Sequence, residues 1–457
     1  MADVNVTIES MLMALIEGKK YRTLKDVLVT MNPADIALVL EEFDEESVTL
    51  IFRLLPKDQA AETFVEMESD MQEILIKGFS DHELREVLEE IYVDDAVDLI
   101  EEMPANVVKR ILAQADPQMR KEINEILRYP EDSAGSIMTT EYISLRPDMT
   151  VAEAITKIRK TAVNRETIYT CYVTDHRKLL GSISLKDLLL VSNDDTLIEE
   201  IMEPNVISVN TLDDSEEVSQ KLARYNFLAL PVVDQEDRMV GIVTFDDALD
   251  VIQEGATEDI EIMGGMTPSE KSYIRSNSFD LFKQRIPWLM LLMVSATFTG
   301  MIINGFESAL AAQVVLTAFI PMLMDTGGNS GSQSSVTIIR AISLGELDFS
   351  DLPSVIWKEI KTAVMCGVVL ACACFVKILL VDRMLLGNES VTIMVAAVVC
   401  VTLALTVLMA KVVGCTLPMC AKQLGFDPAV MASPFITTMV DAMSLLVFFG
   451  IASALLF

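Results

Sequence analysis

The stretch PMLMDTGGNSGSQSS (321–335) stands between two long apolar runs. Hydrocarbon offers a polar group no partner, and each one left unpaired there costs several kcal/mol. Aspartate, asparagine, serine and glycine clustered in such a place call for a setting lined by protein or water. Apolar runs of membrane-spanning length lie around it at 286–304, 309–324, 362–381, 391–416 and 434–457. The second run is short and leads directly into the quoted residues. This predicts a span broken at membrane depth, where glycines let backbone approach a path.

Two acids lie within this half of the chain. Asp325 opens the polar stretch, and Asp441 sits in ITTMVDAMSLL (436–446). A carboxylate at such depth marks a functional site unless neighbouring hydroxyls, such as those of Thr437 or Thr438, satisfy it. Basic residues set the orientation. Lys283 and Arg285 precede the first span, Arg340, Lys358 and Lys361 separate the second from the third, and Lys411 and Lys422 end the fourth. Residues 305–308 carry no basic residue, and Arg383 is the exception. Five spans then place the N-terminus in the cytoplasm and the C-terminus outside. An odd number of spans closes a pathway poorly, so a symmetric homodimer is the economical assembly.

The remainder of the chain is of a different kind. The 457 residues carry a net charge of −33 and exceed the size of one domain. Of the 68 acidic residues 57 lie before residue 271, with 24 of the 35 basic ones, so the whole excess belongs to that part. Such a surface repels nucleic acid and attracts small cations, although a purely solubilising role would give the same balance. The cysteines (Cys171, Cys366, Cys372, Cys374, Cys400, Cys415 and Cys420) form no CxxC pair and read as reduced thiols. MADVNVTIES (1–10) is polar and resembles no signal peptide, so the acidic part is expected in the cytoplasm.

Two repeats organise that acidic part. Phe43, Leu55, Met67, Phe79, Ile91, Met103, Ala115 and Leu127 recur every twelve residues, with Asp44, Pro56, Ser80, Pro104 and Asp116 one step ahead of the next helix. Short capped helices at constant spacing predict an all-α helical-repeat domain over 1–130. A second rhythm follows. Ile137-Met138 returns as Ile201-Met202, YVTD (172–175) as PVVD (231–234), and LLGSISLKDLL (179–189) as MVGIVTFDDAL (239–249). Each copy reads as a βαββα unit, and the pair, 131–200 and 201–252, strongly resembles tandem CBS domains. Such α/β modules sense small ligands and dimerise, and they are not catalysts. Next comes DDALDVIQEGATEDIEIMGG (246–265), where helical spacing puts Asp246, Asp247, Asp250, Glu254 and Glu258 near one face. Like charges there repel unless water or cations screen them. A long connecting helix over 246–270 is expected, followed by a five-helix transmembrane domain over 283–457.

This domain order, the pattern P-x3-D-T-G-G-N-x-G-x-Q, and FDPAVMASPFITTMVD (426–441) together resemble the MgtE family of magnesium channels along essentially the whole chain. The resemblance implies a homodimeric Mg²⁺-selective channel of the inner membrane, not an enzyme, that mediates uptake and is closed by cytosolic Mg²⁺. It assigns the pore to Asp441, with Gly327, Gly328 and Asn329 lining the same region. Its cytosolic sensor maps onto Asp94 or Asp95, with Asp98, in the helical domain. The sensor continues through Asp214 and Glu216 in the second CBS unit, then Asp247, Asp250, Glu258 and Asp259 in the connecting helix, and Asp427. Asn226 departs from the pattern, which often carries an acid there. ATP at the CBS pair is also implied, with Tyr169, Lys186, Asp187 and Phe227 as candidate contacts, although aromatic residues of this module often serve its core.

Mg²⁺ is a hard cation that prefers oxygen and holds its waters tightly. The membrane half has no histidine and no ligand-spaced cysteines, which argues against a zinc, copper or nickel site. The alternatives are a channel or carrier for Co²⁺ or Mn²⁺, and a membrane-anchored CBS sensor without transport. A membrane metalloprotease would need an HExxH motif, yet the only histidines are His82 and His176.

Overall fold

The computed structural model describes residues 2–269, 273 and 276–456; residues 1, 270 and 457, where three expected segments begin or end, lie outside the described residues. Two compact units divide the chain, Met1–Ile252 and Gln253–Phe457.

The first unit begins with helices α1 (Ala2–Glu17), α2 (Tyr21–Leu28), α3 (Pro33–Leu40), α4 (Glu45–Phe52), α5 (Lys57–Val65), α6 (Ser69–Gly78), α7 (Asp81–Leu88), α8 (Val93–Glu102), α9 (Ala105–Gln114) and α10 (Pro117–Ile126). The twelve-residue beat falls between these helices. Phe43, Leu55, Met67, Phe79, Ile91, Met103 and Ala115 are all buried just beyond a helix end, and Leu127 packs against the same core. The following residue starts the next helix. Asp44 accepts from Ser47 N, Asp116 accepts from Gln118 N and Met119 N, and Ser80 forms a reciprocal capping box with Glu83. Each cap satisfies backbone donors that a helix start leaves open. Alternate helices pack together, α3 on α5, α5 on α7, α7 on α9, α4 on α6 and α8 on α10, as a short superhelix requires.

Two three-stranded mixed sheets follow. β1 (Ser144–Leu145) pairs parallel with β2 (Thr170–Asp175), which pairs antiparallel with β3 (Lys178–Ser184). In the second copy β4 (Val209–Asn210), β5 (Ala229–Val233) and β6 (Met239–Thr244) repeat that order. Helices α11 (Val151–Thr161), α12 (Leu185–Leu190), α13 (Ile198–Ile201) and α14 (Ser215–Tyr225) complete the copies. The two copies exchange their leading segments. Thr139 bridges Ile242 in β6, while Glu203 bridges Ser182 in β3. Each lead-in strand therefore completes the other copy's sheet, a pairing that a boundary drawn along the chain does not express.

Helix α15 (Phe245–Met263) leaves the last strand. It is shorter than the expected 246–270, and a glycine explains its end. Gly265 adopts a left-handed φ of +72°, and Met266 N donates back to Glu261 O. A Cβ on Gly265 would come within 2.4 Å of Trp288 Cδ1, so no other residue fits this turn as it stands.

The second unit contains α16 (Ser278–Gly305), α17 (Glu307–Ala312), a 3₁₀ segment (Val314–Phe319), α18 (Ile320–Ser343), α19 (Leu352–Lys377), α20 (Ile393–Gln423) and α21 (Ser433–Leu456). Among the described residues four stretches are long and apolar enough to cross a membrane: Ser278–Gly305, Phe349–Leu385, Ile393–Gln423 and Pro428–Leu456. The remaining expected span, 309–324, falls across α17, the 3₁₀ segment and the first turn of α18, and α18 itself is too polar to join the four. Here the structure corrects an expectation, because the break predicted within 321–335 is absent and those residues form continuous helix. The irregular backbone precedes them, at 313–319. A continuous helix satisfies its own backbone, and the small residues serve close packing instead. The approach is tight: a Cβ on Gly414 of α20 would lie 2.3 Å from Gly331 O of α18.

Candidate cation-binding sites

Helix α18 has two unlike faces. Leu323, Gly327, Gly328, Gly331, Ser334 and Ser335 are buried against α20 and α21. A side chain on Gly327 would collide with Thr406 and Val440, and one on Gly328 with Thr437. These two glycines therefore set the distance between helices rather than opening the backbone, contrary to the expected break. Asp325, Asn329, Gln333 and Arg340 occupy the other face and are exposed. Asn329 Nδ2 donates to Asp325 O at 2.9 Å and to Asp325 Oδ1 at 3.1 Å, which holds the two side chains together.

Asp441 lies on α21, close enough to Asp325 for their charges to interact. Its Oδ1 is buried without a hydrogen-bond partner. Thr438 offers no relief, since its hydroxyl turns back to Pro434 O. A carboxylate oxygen in that state is an acceptor awaiting a cation or a proton.

The first unit gathers acids more densely. Asp94, Asp95 and Asp98 project from α8, and Asp247 stands in the first turn of α15. Asp94 is 6 % exposed and its Oδ1 lacks a hydrogen-bond partner. Burial, and then the Asp247 charge, push Asp94 well above the ordinary carboxylate range and hold Asp95 near about 7 and Asp98 near about 8. Asp247 rises less, to about 6, because the Thr244 hydroxyl donates to its Oδ2 at 2.5 Å and stabilises the charged form against burial. Asp250 is raised by burial and by Asp246.

Two members of this cluster escaped sequence reasoning. Glu141 accepts from Val93 N at 3.3 Å and so caps α8. Glu166 has an unpartnered buried Oε2 and is driven to about 8, first by burial and then by Asp95. Both lie in connections, where no periodicity flags a residue. A signal did exist in the comparison of repeats, because Ile137-Met138 leads to Glu141 whereas Ile201-Met202 leads to Asn205.

The other expected residues are dispersed. Asp214 is the N-cap of α14, accepting from Glu216 N at 3.0 Å and Glu217 N at 3.2 Å, with Glu216 in the first turn. Asn226 ends that helix at φ +53°, a left-handed position that asparagine tolerates, which gives its presence a conformational reason. Glu258 and Asp259 belong to the second unit, where Ser343 Oγ donates to Asp259 Oδ2 at 2.8 Å. Asp427 caps the turn before α21 through Ala429 N at 2.7 Å, and burial followed by the Asp259 charge raises its pKa. Tyr169, Lys186 and Asp187 meet where β3 enters α12, Leu185 N donating to Tyr169 O and Ser184 Oγ to Asp187 Oδ2. Phe227 belongs to the second copy and stacks on Tyr225 at 5.6 Å. Among the described residues no three His, Cys, Asp or Glu side chains converge closely enough to hold a metal as they stand.

Comparison with known proteins gives these sites a context. Residues 31–132 match the MgtE intracellular N domain, 134–194 and 198–254 match the CBS domain, and 320–451 match the divalent cation transporter family also called MgtE. The chain is 38 % identical over 448 residues to the magnesium transporter MgtE of Thermus thermophilus, covering 97 % of each. Against the magnesium transporter MgtE of Bacillus subtilis it is 31 % identical over 458 residues, covering 98 % of each. A crystal structure of the cytosolic domain of the Mg²⁺ channel MgtE in complex with ATP superposes with a TM-score of 0.51 at 39 % identity, over 53 % of this chain and 99 % of that one. That family is one of transporters rather than enzymes, multi-pass in the membrane with an intracellular N domain. By near full-length identity to two of its members, the chain belongs to the MgtE family of magnesium transporters.

Proposed function

We propose that the chain forms a Mg²⁺-selective channel of the inner membrane that admits magnesium and is closed by cytosolic Mg²⁺. One observation carries the pore: α18 exposes Asp325, Asn329 and Gln333 along a single face beside the unpartnered Asp441. Lipid cannot solvate that face, so it borders a water-filled path or a second copy of the chain. A symmetric homodimer with the path near its axis meets both conditions. Asp441 is the carboxylate that faces a hydrated ion, Asn329 and Asp325 flank it, and Gly327 and Gly328 bring α18 against α20 and α21. With five spans, α18 included, the C-terminus lies outside.

The cytosolic acids supply the control. Asp94, Asp95, Asp98, Asp247 and Asp250, joined by Glu141 and Glu166, repel one another in a buried setting that cations relieve. Asp259 and Asp427 extend the control to the membrane unit, where Ile262 and Met263 of α15 pack against Ile339, Ala429 and Ala432. Asp214, Glu216 and Glu258 provide further acidic oxygens. At high Mg²⁺ the neutralised acids hold a compact closed state, and at low Mg²⁺ repulsion separates them and frees the path. An ion bound by one state alone shifts the population by its differential affinity. ATP at Tyr169, Lys186, Asp187 and Phe227 would bias the same module, as the ATP complex of the related cytosolic domain suggests.

Flux into vesicles holding the full-length chain, with Mg²⁺ varied separately on each side, tests the whole scheme. Uptake that falls as Mg²⁺ rises on the N-domain side is expected, and uptake indifferent to that side overturns the control. The matching family is described as divalent cation transporters, and oxygen ligands also accept Co²⁺ and Mn²⁺, so both ions belong in the same assay.

A further inference from the structure

Lys411 was expected at a cytoplasmic boundary, and the structure places it elsewhere. It lies within α20 and is 5 % exposed. Its Nζ donates to Ser334 Oγ of α18 at 3.3 Å and stands 3.9 Å from Glu359 Oε2 of α19. Ser334 Oγ in turn donates to Glu359 Oε2 at 2.6 Å. A buried cation, a largely buried carboxylate and a hydroxyl thus tie three helices at one point. None of them belongs to the proposed pore lining or to the cytosolic acids.

Burying such a pair is costly, because desolvation of two ions consumes most of their mutual attraction. Packing does not require it, since apolar residues of similar volume would fill the same space without that cost. What the pair supplies is direction. Ser334 lies five residues beyond Asn329 on the same helix, and three beyond Gly331, whose carbonyl meets Gly414. The glycine contacts set how closely α18 approaches α20 and α21, and Ser335 Oγ donates to Met431 O at 2.9 Å on the same face. The hydroxyl of Ser334, held between a buried ammonium and a carboxylate, adds a directional link to α19 and α20 that fixes the rotation of α18 more tightly.

We infer that Lys411 and Glu359 are positioning residues for ion passage: through Ser334 they set the rotation of α18 and so aim Asp325 and Asn329 at the path. This rests on the proposed pore at Asp441. It also makes the interaction separable from folding, because the charges can be removed together.

Two variants test it in full-length chain reconstituted in vesicles. Lys411→Met/Glu359→Leu removes both charges and keeps an apolar packing, and Ser334→Ala removes only the hydroxyl link. Both are expected to melt close to the wild type in detergent, with Mg²⁺ uptake reduced at least about fivefold, the scale of one lost hydrogen bond. The discrimination of Mg²⁺ against K⁺ should fall with it, a readout that loss of folded protein alone would not move. Single Lys411→Met, which strands Glu359 unpaired, should be worse than the double variant. Wild-type uptake and selectivity in Ser334→Ala overturn the inference, even should the double variant fail to fold. Asp441→Ala run in parallel separates the two ideas. If it abolishes uptake while Ser334→Ala does not, the pore stands and the positioning role falls; if uptake survives Asp441→Ala, the pore itself is misplaced.

Discussion

The two units handle charge in opposite ways. In the first, Asp94, Asp95, Asp98, Asp247, Glu141 and Glu166 crowd together, and burial first, then the charge of neighbouring carboxylates, raises the pKa of each. In the second, the few charges buried among α18 to α21 are placed singly or paired: Asp441 with a bare oxygen, Lys411 beside Glu359. The difference follows from solvent. A cluster outside the membrane can stay ionised by opening to water, so its repulsion is a force that the proposed control by cations can draw on. A membrane-embedded charge has no such exit, so each one present needs a partner or a task.

Asp441→Ala should break this contrast most severely. Removing the single acid is expected to abolish selective Mg²⁺ uptake while leaving assembly intact, and wild-type flux with unchanged selectivity would remove Asp441 from the pore. Gly414→Ala comes next. Its Cβ would meet Gly331 O at 2.3 Å, and overpacking of this kind typically costs about 1–3 kcal/mol. Reduced melting temperature and reduced flux are expected together, whereas an unaltered melting point would show that α18 and α20 can part without loss.

The cytosolic acids should respond to pH as well as to Mg²⁺, and the sign follows from their raised pKa values. A carboxyl that holds its proton more firmly folded than unfolded favours the folded cluster at low pH. That advantage is complete below the unfolded value of about 4 and is lost as pH rises through the folded values, about 6 for Asp247, about 7 for Asp95 and about 8 for Asp98 and Glu166. In Mg²⁺-free buffer, hydrogen exchange of α8 amides should therefore slow on going from pH 8 to pH 5.5, after correction for the intrinsic rate, and Mg²⁺ at pH 8 should reproduce the slowing. Equal protection at both pH values would show that the acids do not act together. Asp94→Asn should shift the same measurement less, giving protection at pH 8 without Mg²⁺, and an unchanged profile would exclude Asp94 from the cluster's response. Smallest is Ser80→Ala, which removes one capping hydroxyl from α7 and should cost about 1 kcal/mol locally. Faster exchange confined to α7, with Mg²⁺ uptake unaltered, would mark it as structural; altered uptake would tie the helical repeat more closely to control than its cap implies.

Much of the architecture was legible along the chain. The twelve-residue beat located every turn from α3 to α10, because the residue that plugs each turn is apolar, and at Asp44, Ser80 and Asp116 the one after it caps the next helix. The paired strands were legible because segments of the first copy return in the second, YVTD as PVVD and LLGSISLKDLL as MVGIVTFDDAL. Four apolar spans declared themselves by length. In the sites, the acids of α15 were named from their helical spacing and those of α8 through the family resemblance, whereas Glu141 and Glu166 come from connections without period, and only the comparison of the two repeats marks Glu141.

The polar stretch 321–335 marks where local pattern ceased to decide. Composition established that these residues could not face lipid on every side, because hydrocarbon leaves polar groups unpaired. It could not choose between a broken backbone and an intact helix with a polar face, since both answer the same requirement. Tertiary packing chose the helix: Gly327, Gly328 and Gly331 allow α20 and α21 to come close enough to bury one side of it. The same packing turned Lys411 from a boundary marker into a buried partner of Glu359 and Ser334. Pairing depends on which helices adjoin, and distances between residues 77 and 25 positions apart in the chain exist only once the helices have assembled.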